Sequence, residues 1–384
     1  MIDRERLKGL LLELVGISSL SRREREVALH LAEEMKALGA EVEIDEAGVN
    51  VGGDVGNVIA RIKGTVPGAP PLLLSAHMDT VVPGEDVKPI VEGDIVRTDG
   101  STVLGGDDKS GCAIIVETVR ALQEKKIPHG DIEAVFTICE EVGLLGAKHL
   151  DVGRLRARTG LVLDSDGVDE LITHAPAANR LEIRVHGKEA HAGVVPEQGI
   201  SAIKVAAEAI AGMRLGRIDA ETTANLGVIQ GGLATNIVPS AVLIRGEARS
   251  RDVAKLEAQT EHMRACFLEA ARRHRLTVDG RTYEARVEVE IQRDFDPMAL
   301  PPDSRIVRLV TRASRNLGRD LLTRPTGGGC DANVLNGRGL QVANLGTGMR
   351  EIHTVKEWLD LRDLYRTAEL VLEVVRLNAS GEVE

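Results

Sequence analysis

Apolar residues recur at helical spacing from Leu7 to Val15 and again from Glu24 to Leu38, the period that buries one face of a helix. Asn57 to Ile62 then reads as a strand, and Leu72 to Ala76 is a largely apolar run that suits a strand buried on both faces. Helical spacing returns from Ser110 to Leu122. Ile132 to Cys139 is strand-like, Leu144 to Leu150 a short helix, and Leu161 to Leu163 a further buried strand. Strands alternating with helices predict an α/β architecture, a mostly parallel sheet flanked by helices. In such sheets ligands bind beyond the carboxyl ends of the strands.

The pattern changes after about residue 176. Leu181 to Val185 alternates apolar and polar, Ile200 to Met213 is helical, and two β-rich stretches follow, Ala224 to Gln230 and Ala241 to Ala248. A long helix from Val253 to His274 and a last alternating segment from Arg286 to Ile291 complete the order β-α-β-β-α-β, that of a ferredoxin-like α+β module. Asp294-Phe295-Asp296-Pro297 and Leu300-Pro301-Pro302 punctuate its exit. The expected organisation is a catalytic domain over 1–175 and 295–384, interrupted by an inserted domain over 176–294.

Composition narrows the possibilities. With 384 residues the chain can bury ample core, and aromatics at 2% leave that core to aliphatic side chains. A formal charge of −11 without a basic tract argues against nucleic acid or an anionic membrane as partner. The charged start, Met1-Ile2-Asp3-Arg4-Glu5-Arg6, lacks the apolar core of a signal peptide, and no run is long enough to span a bilayer. A cytoplasmic location is therefore expected. Cys112, Cys139, Cys266 and Cys330 are far apart and form no C-x-x-C pair; they read as buried small hydrophobes in a reducing compartment.

Five residues at or just beyond the predicted strand ends carry the chemistry. They are His77, Asp107, Glu141, Asp164 and His353. Two imidazoles and three carboxylates form a nitrogen and oxygen set that suits zinc, cobalt or manganese. One carboxylate can bridge two ions, and ions roughly 3.5–4 Å apart are an established hydrolytic arrangement.

The segments His77-Met78-Asp79, Gly105-Gly106-Asp107-Asp108-Lys109-Ser110-Gly111, Glu140-Glu141-Val142-Gly143, Leu163-Asp164-Ser165-Asp166-Gly167 and Glu351-Ile352-His353-Thr354 together resemble the M20 family of metallopeptidases and deacylases. Ser75 to Gly84 is similar to its peptidase T, or tripeptide aminopeptidase, branch. The resemblance implies two divalent ions per chain, zinc foremost, with Asp107 bridging them. It implies that His77 and Asp164 complete one site, Glu141 and His353 the other. Asp79 would orient His77, Glu140 would be the general base, and the Asp107–Asp108 peptide would be cis. His191, within Gly187-Lys188-Glu189-Ala190-His191-Ala192-Gly193, matches an oxyanion-stabilising histidine of the family's lid domain, which often acts across a dimer interface. Asn236, Arg249 and the loop containing Gly328 match positions lining the substrate pocket. Where the family commonly has Asp-Val-Arg, this chain has Glu247-Ala248-Arg249. The expected activity is cleavage of amide bonds in short peptides by an aminopeptidase or tripeptidase, working as a homodimer joined through the lid. The alternative within the family is a deacylase acting on N-acyl amino acids; a metal-binding protein without turnover would lack Glu140.

Bland readings compete at single positions. Adjacent glutamates such as Glu140 and Glu141 are usually solvated, but here they follow an apolar strand. Asp166 reads as a turn residue. His30, His129, His149, His174, His186, His262 and His274 carry no ligand signal. The glycines from Gly327 to Gly329 superficially suggest phosphate binding, but no G-x-G-x-x-G or G-x-x-x-x-G-K-[ST] is present, and a tight turn fits them better.

Overall fold

The computed structural model describes residues 2–381. Its first helix, Arg4–Gly16, starts where the Asp3 carboxylate accepts from Arg6 N–H, and it buries Leu7, Leu10, Leu11, Leu14 and Val15. The second, Arg25–Ala37, buries Val27, Ala28, Leu31, Ala32 and Met35 on one stripe. A nine-stranded sheet follows from the alternation of strands and helices. At its centre Leu72–His77 lies parallel to both Ile132–Thr137 and Thr159–Val162, and Gln341–Leu345 runs parallel on the far side of Thr159–Val162. The flank is antiparallel, with Val58–Ile62 against Ile132–Thr137 and Glu41–Ile44 beyond it. Leu72–His77 and Ile132–Thr137 are buried at every position, which is why they read as apolar runs without alternation.

Parallel pairing places the strand ends that matter on one edge of this sheet. His77 is level with Thr137, two residues before Cys139, and Ser75 is level with Val162, two residues before Asp164. The helix Gly106–Glu124 is interrupted at Asp107 and Asp108, whose dihedrals are not helical, and its regular turns begin after them. The Asp107–Asp108 peptide is cis, as is Val82–Pro83. A small antiparallel sheet, unforeseen in the hydrophobic pattern, pairs Met349–Arg350 with Trp358–Asp360 and the latter with Ile95–Arg97. Its strands are two or three residues long, too short for a periodic signal. The loop it closes carries His353.

The chain divides into two compact units. One runs to His174, resumes over Met298–Thr326, and continues from Cys330; the other comprises Ala175–Pro297 with Gly327–Gly329. In the second unit the strands Thr222–Gly231, Ala241–Ser250, Ala177–His186 and Arg286–Phe295 lie side by side in that order, every pair antiparallel. The helices Ala202–Ala211 and Val253–Arg272 supply Val205, Leu256, Met263 and Phe267 to its core, against Leu181, Ile183, Val185 and Ile244. This is the ferredoxin-like arrangement that the element order predicts. A hairpin absent from that prediction, Arg275–Val278 with Arg281–Glu284, is added before the last strand. Its turn is Asp279-Gly280, both with positive φ, the usual two-residue hairpin pair.

Candidate metal centre

His77 is the last residue of its strand, 2% exposed, with its ring fixed from behind. Nδ1 lies 2.9 Å from the Asp79 carbonyl oxygen, so Nδ1–H donates and the Nε2 lone pair faces forward. The Asp79 carboxylate also stands behind this ring and has a second task. Its Oδ1 is 3.4 Å from Nδ1, while its oxygens accept from Glu140 N–H at 2.9 Å, Glu141 N–H at 3.2 Å and the Ser21 hydroxyl at 2.6 Å. Beyond the strand end two backbone donors have no ladder partner, and the carboxylate takes both. Asp79 thus fixes the peptide that aims Glu140 and Glu141.

Asp107 sits between the two histidines. Its Oδ1 is 3.1 Å from His77 Nε2, and its Oδ2 is 3.1 Å from His353 Nε2. Asp164 Oδ1 lies 4.0 Å from His77 Nε2 on one side, and Glu141 Oε1 lies 2.9 Å from His353 Nε2 on the other. All five expected ligand residues therefore converge, with Asp107 offering one oxygen to each half. The ligand atoms of His77, Asp107 and Glu141 lie within 4.8 Å of one another, and so do those of His77, Asp108 and Asp164. Asp108 is nevertheless committed elsewhere, since its carboxylate accepts from His77 N–H at 3.2 Å and Gly111 N–H at 3.1 Å. His353 is about half exposed and takes a left-handed backbone, φ 62°.

The residues present fit divalent cations. Glu141 Oε1 is buried without a hydrogen-bond partner although His353 Nε2 is close. The carboxylates of Asp79, Asp107, Asp108, Glu140, Glu141, Asp164 and Asp331 crowd around two imidazoles. Burial pushes the carboxyls of Asp108, Glu140 and Asp164 well up, and the Asp164 charge pushes the first two further. Such an excess of buried negative charge calls for positive charge in its midst. Without metal, protons supply it. Contact with Asp107 and then Glu141 raises His353 to about 10. Burial opposes the charged form of His77, yet its bonds to Asp107 and Asp79 hold its pKa well above the ordinary value.

These shifts set a pH dependence. A raised histidine holds its proton below the raised pKa and must release it before a cation can bind. Calorimetric titration of divalent metal at pH 7.5, in two buffers of different ionisation enthalpy, should show at least one proton released per chain, and apparent affinity should rise with pH. Binding without proton release would contradict the placement of His353.

A profile of peptidase family M20/M25/M40 matches residues 73–377, a span that includes every ligand candidate. The chain belongs to the M20 peptidase family. It is 42% identical over 376 residues to the uncharacterized protein YqjE of Bacillus subtilis, covering 98% of this chain and 99% of that one. The crystal structure of aminopeptidase PepT from Bacillus cereus is similar with 41% identity and TM-score 0.88, covering 99% of this chain and 100% of that one. That of a tripeptidase from Staphylococcus aureus has 36% identity and TM-score 0.91, with 99% of each chain covered.

Other residues of this M20 peptidase that the sequence reading singled out lie in the second unit. His191 is exposed, and its Nδ1 accepts from Gly193 N–H at 3.2 Å. The neutral ring accordingly carries its proton on Nε2. Asn236 is a neighbour, because Ala192 N–H donates to its carbonyl and His191 bridges to Ile237. Arg249 pairs with Glu247 at 3.0 Å, and its Nε is buried without a partner. Gly328 is exposed in the loop before the helix Asp331–Gly337. Its neighbour Gly329 is sterically required, since a Cβ there would come 2.3 Å from the Phe295 ring. Cys112, Cys139 and Cys330 are buried and Cys266 is partly exposed, which corrects the reading of all four as buried; none forms a disulfide.

Asn344, Asp331 and Glu24 were not singled out one by one, although Asp331 belongs to the Gly328 loop that the resemblance matches to the substrate pocket. Asn344 brackets Asp164, accepting from its N–H at 3.0 Å and donating to its carbonyl. Asp331 is 2% exposed, accepts from the Thr137 hydroxyl through Oδ2, and leaves Oδ1 unpartnered. Glu24 is fully buried and accepts from Cys139 N–H at 3.0 Å, just ahead of Glu140. A buried acid or amide in an otherwise apolar context was the available clue.

Proposed function

We propose that this M20 peptidase is a zinc-dependent aminopeptidase that releases the N-terminal residue of short peptides, tripeptides above all. The observation that carries the chemistry is the position of Asp107, one oxygen toward each imidazole, with the buried Glu140 within electrostatic reach of Asp164 and His77. The PepT aminopeptidase and tripeptidase, similar along 99% of this chain, support the substrate class. His77, Asp164 and Asp107 would hold one ion, and Glu141, His353 and Asp107 the other. When bound, such ions lower the pKa of a water and polarise an amide carbonyl.

The chain's own residues do the rest. Glu140 is 9% exposed, and burial gives it a high proton affinity. Its carboxylate takes the proton of the attacking water and passes it to the leaving amine. His191 presents Nε2–H, the form that donates to a developing oxyanion. We assign the Ala175–Pro297 unit the role of a lid that delivers this group, with Asn236 and Gly328 lining the substrate pocket. Arg249 would pair with the peptide carboxylate, its planar fork matching two oxygens. Homodimerisation through this unit is supported by its strand Thr222–Gly231, which the two-residue strand Gly216–Arg217 covers only at Thr223 and Ala224; Ile229 further along is 58% exposed, and Leu233 beyond it 86%, an apolar stretch suited to a partner. No helix among the described residues is long and apolar enough to cross a membrane, which is compatible with work in the cytoplasm.

A turnover screen tests the substrate class. Metal-loaded enzyme should cleave unblocked tripeptides faster than N-acetyl amino acids, and N-acetylation of a good substrate should suppress cleavage. Arg249→Lys should raise KM for free-acid peptides more than for their C-terminal amides. Faster turnover of acetylated amino acids than of any unblocked di- or tripeptide would replace the aminopeptidase reading with a deacylase.

His191→Ala should lower kcat by about 10²–10³-fold, the loss typical of one oxyanion donor, with a smaller rise in KM. If the partner subunit supplies this ring, mixing Glu140→Gln and His191→Ala subunits restores activity. Wild-type kcat in the His191 variant would remove it from the mechanism.

A further inference from the structure

We propose that Glu357 is a positioning residue for the bridging carboxylate of Asp107, and that it ties this carboxylate to the His353 loop so that the two ligands stand or fall together. The proposal rests on the metal-centre reading above and adds a residue that lies outside its ligand set.

Glu357 is 2% exposed. Its Oε2 accepts from Gly105 N–H at 2.8 Å and its Oε1 from Asp107 N–H at 3.0 Å. Alternate backbone donors thus converge on one carboxylate, the arrangement by which a turn of main chain binds an anion. The turn needs its glycines. Gly105 has φ +73°, and a Cβ there would stand 3.0 Å from Thr80 Cγ2; a Cβ on Gly106 would stand 3.1 Å from Glu357 Oε1 itself. The backbone of the bridging ligand is therefore shaped around the Glu357 carboxylate.

The other end of Glu357 belongs to the second ligand. It lies four residues after His353, and its own N–H donates to the Thr354 carbonyl at 3.0 Å, closing the turn that follows the histidine. The next residue enters the strand Trp358–Asp360, which pairs with Ile95–Arg97. One side chain spans from the His353 turn to the Asp107 peptide, and His353 Nε2 meets Asp107 Oδ2 at 3.1 Å. Both Glu357 oxygens act as acceptors. Glutamine offers one acceptor and turns an NH₂ toward a backbone N–H; aspartate is one methylene too short to serve both donors.

The test is calorimetric titration of metal-free wild-type, Glu357→Gln and Glu357→Asp proteins with Zn²⁺, alongside thermal unfolding without metal and kinetics at low and saturating Zn²⁺. The expected result is metal affinity lowered about 10–100-fold in both variants, the range for a residue that orients ligands. Saturating metal should recover kcat, and KM should stay at the wild-type value. Wild-type Kd for both ions in both variants would overturn the proposal, as would a lower metal-free Tm with unchanged metal Kd, because Glu357 would then serve only the fold. Failure of the metal-centre reading is distinguishable: wild-type protein would bind no Zn²⁺ at all.

Discussion

Glu140→Gln should cost nearly all turnover while leaving the metal content at the wild-type level. Glutamine keeps the size and the backbone N–H bond to Asp79 but cannot accept a proton, and loss of a general base costs about 10²–10⁴-fold in rate. The neighbouring change separates the two glutamates. Glu141 Oε1 faces His353 Nε2 from a buried position without a hydrogen-bond partner, so Glu141→Gln should weaken metal retention. Steady-state kinetics paired with elemental analysis after dialysis checks both. Equal metal loss in the two variants would show that the division of roles is wrong.

Asp107→Ala should remove the two-ion site. Its two oxygens face two imidazoles at 3.1 Å each, so no other side chain replaces both. Metal content should fall from two ions per chain to one or none, and activity should fall with it by at least the factor expected for Glu140→Gln. The same variant leaves His77 and His353 without their shared carboxylate. Because contact with Asp107 is the first cause of the raised His353 pKa, that pKa should drop toward the ordinary imidazole range, which NMR titration of the metal-free proteins would show. Saturation at two ions in the Asp107 variant would end the bridging assignment.

What could be read from the sequence and what could not divide by the range of the interactions involved. Leu72–His77 and Ile132–Thr137 were legible because a strand buried on both faces is largely apolar, Ser75 and Glu133 apart, so a His closing such a run or an acidic pair after it stands out. The inserted unit was legible because its strands alternate and its helices have a 3.6-residue period. The Asp279-Gly280 hairpin had a local signal that the β-α-β-β-α-β frame obscured. The short strands around His353 had none.

The expectation for Asp79 shows the limit most clearly. The resemblance placed it behind His77, and it is there, but its carboxylate also binds the N–H groups of Glu140 and Glu141, 61 and 62 residues away. Glu357 reaches Gly105 across 252 residues, and Asn344 brackets Asp164 across 180. A side chain that pairs with distant main chain leaves no periodicity, because backbone donors look the same at every residue.

The sequence by itself determined the α/β frame, the ferredoxin-like insert and the identities of the residues that meet at the strand ends, since apolar patterning and donor chemistry are local properties of the chain. Only the tertiary structure showed why one acid and not its neighbour is free to act. Asp107 faces both imidazoles while the adjacent Asp108 is taken by the N–H groups of His77 and Gly111. Two neighbouring aspartates are chemically identical until the fold brings distant donors to one of them and leaves the other facing the centre.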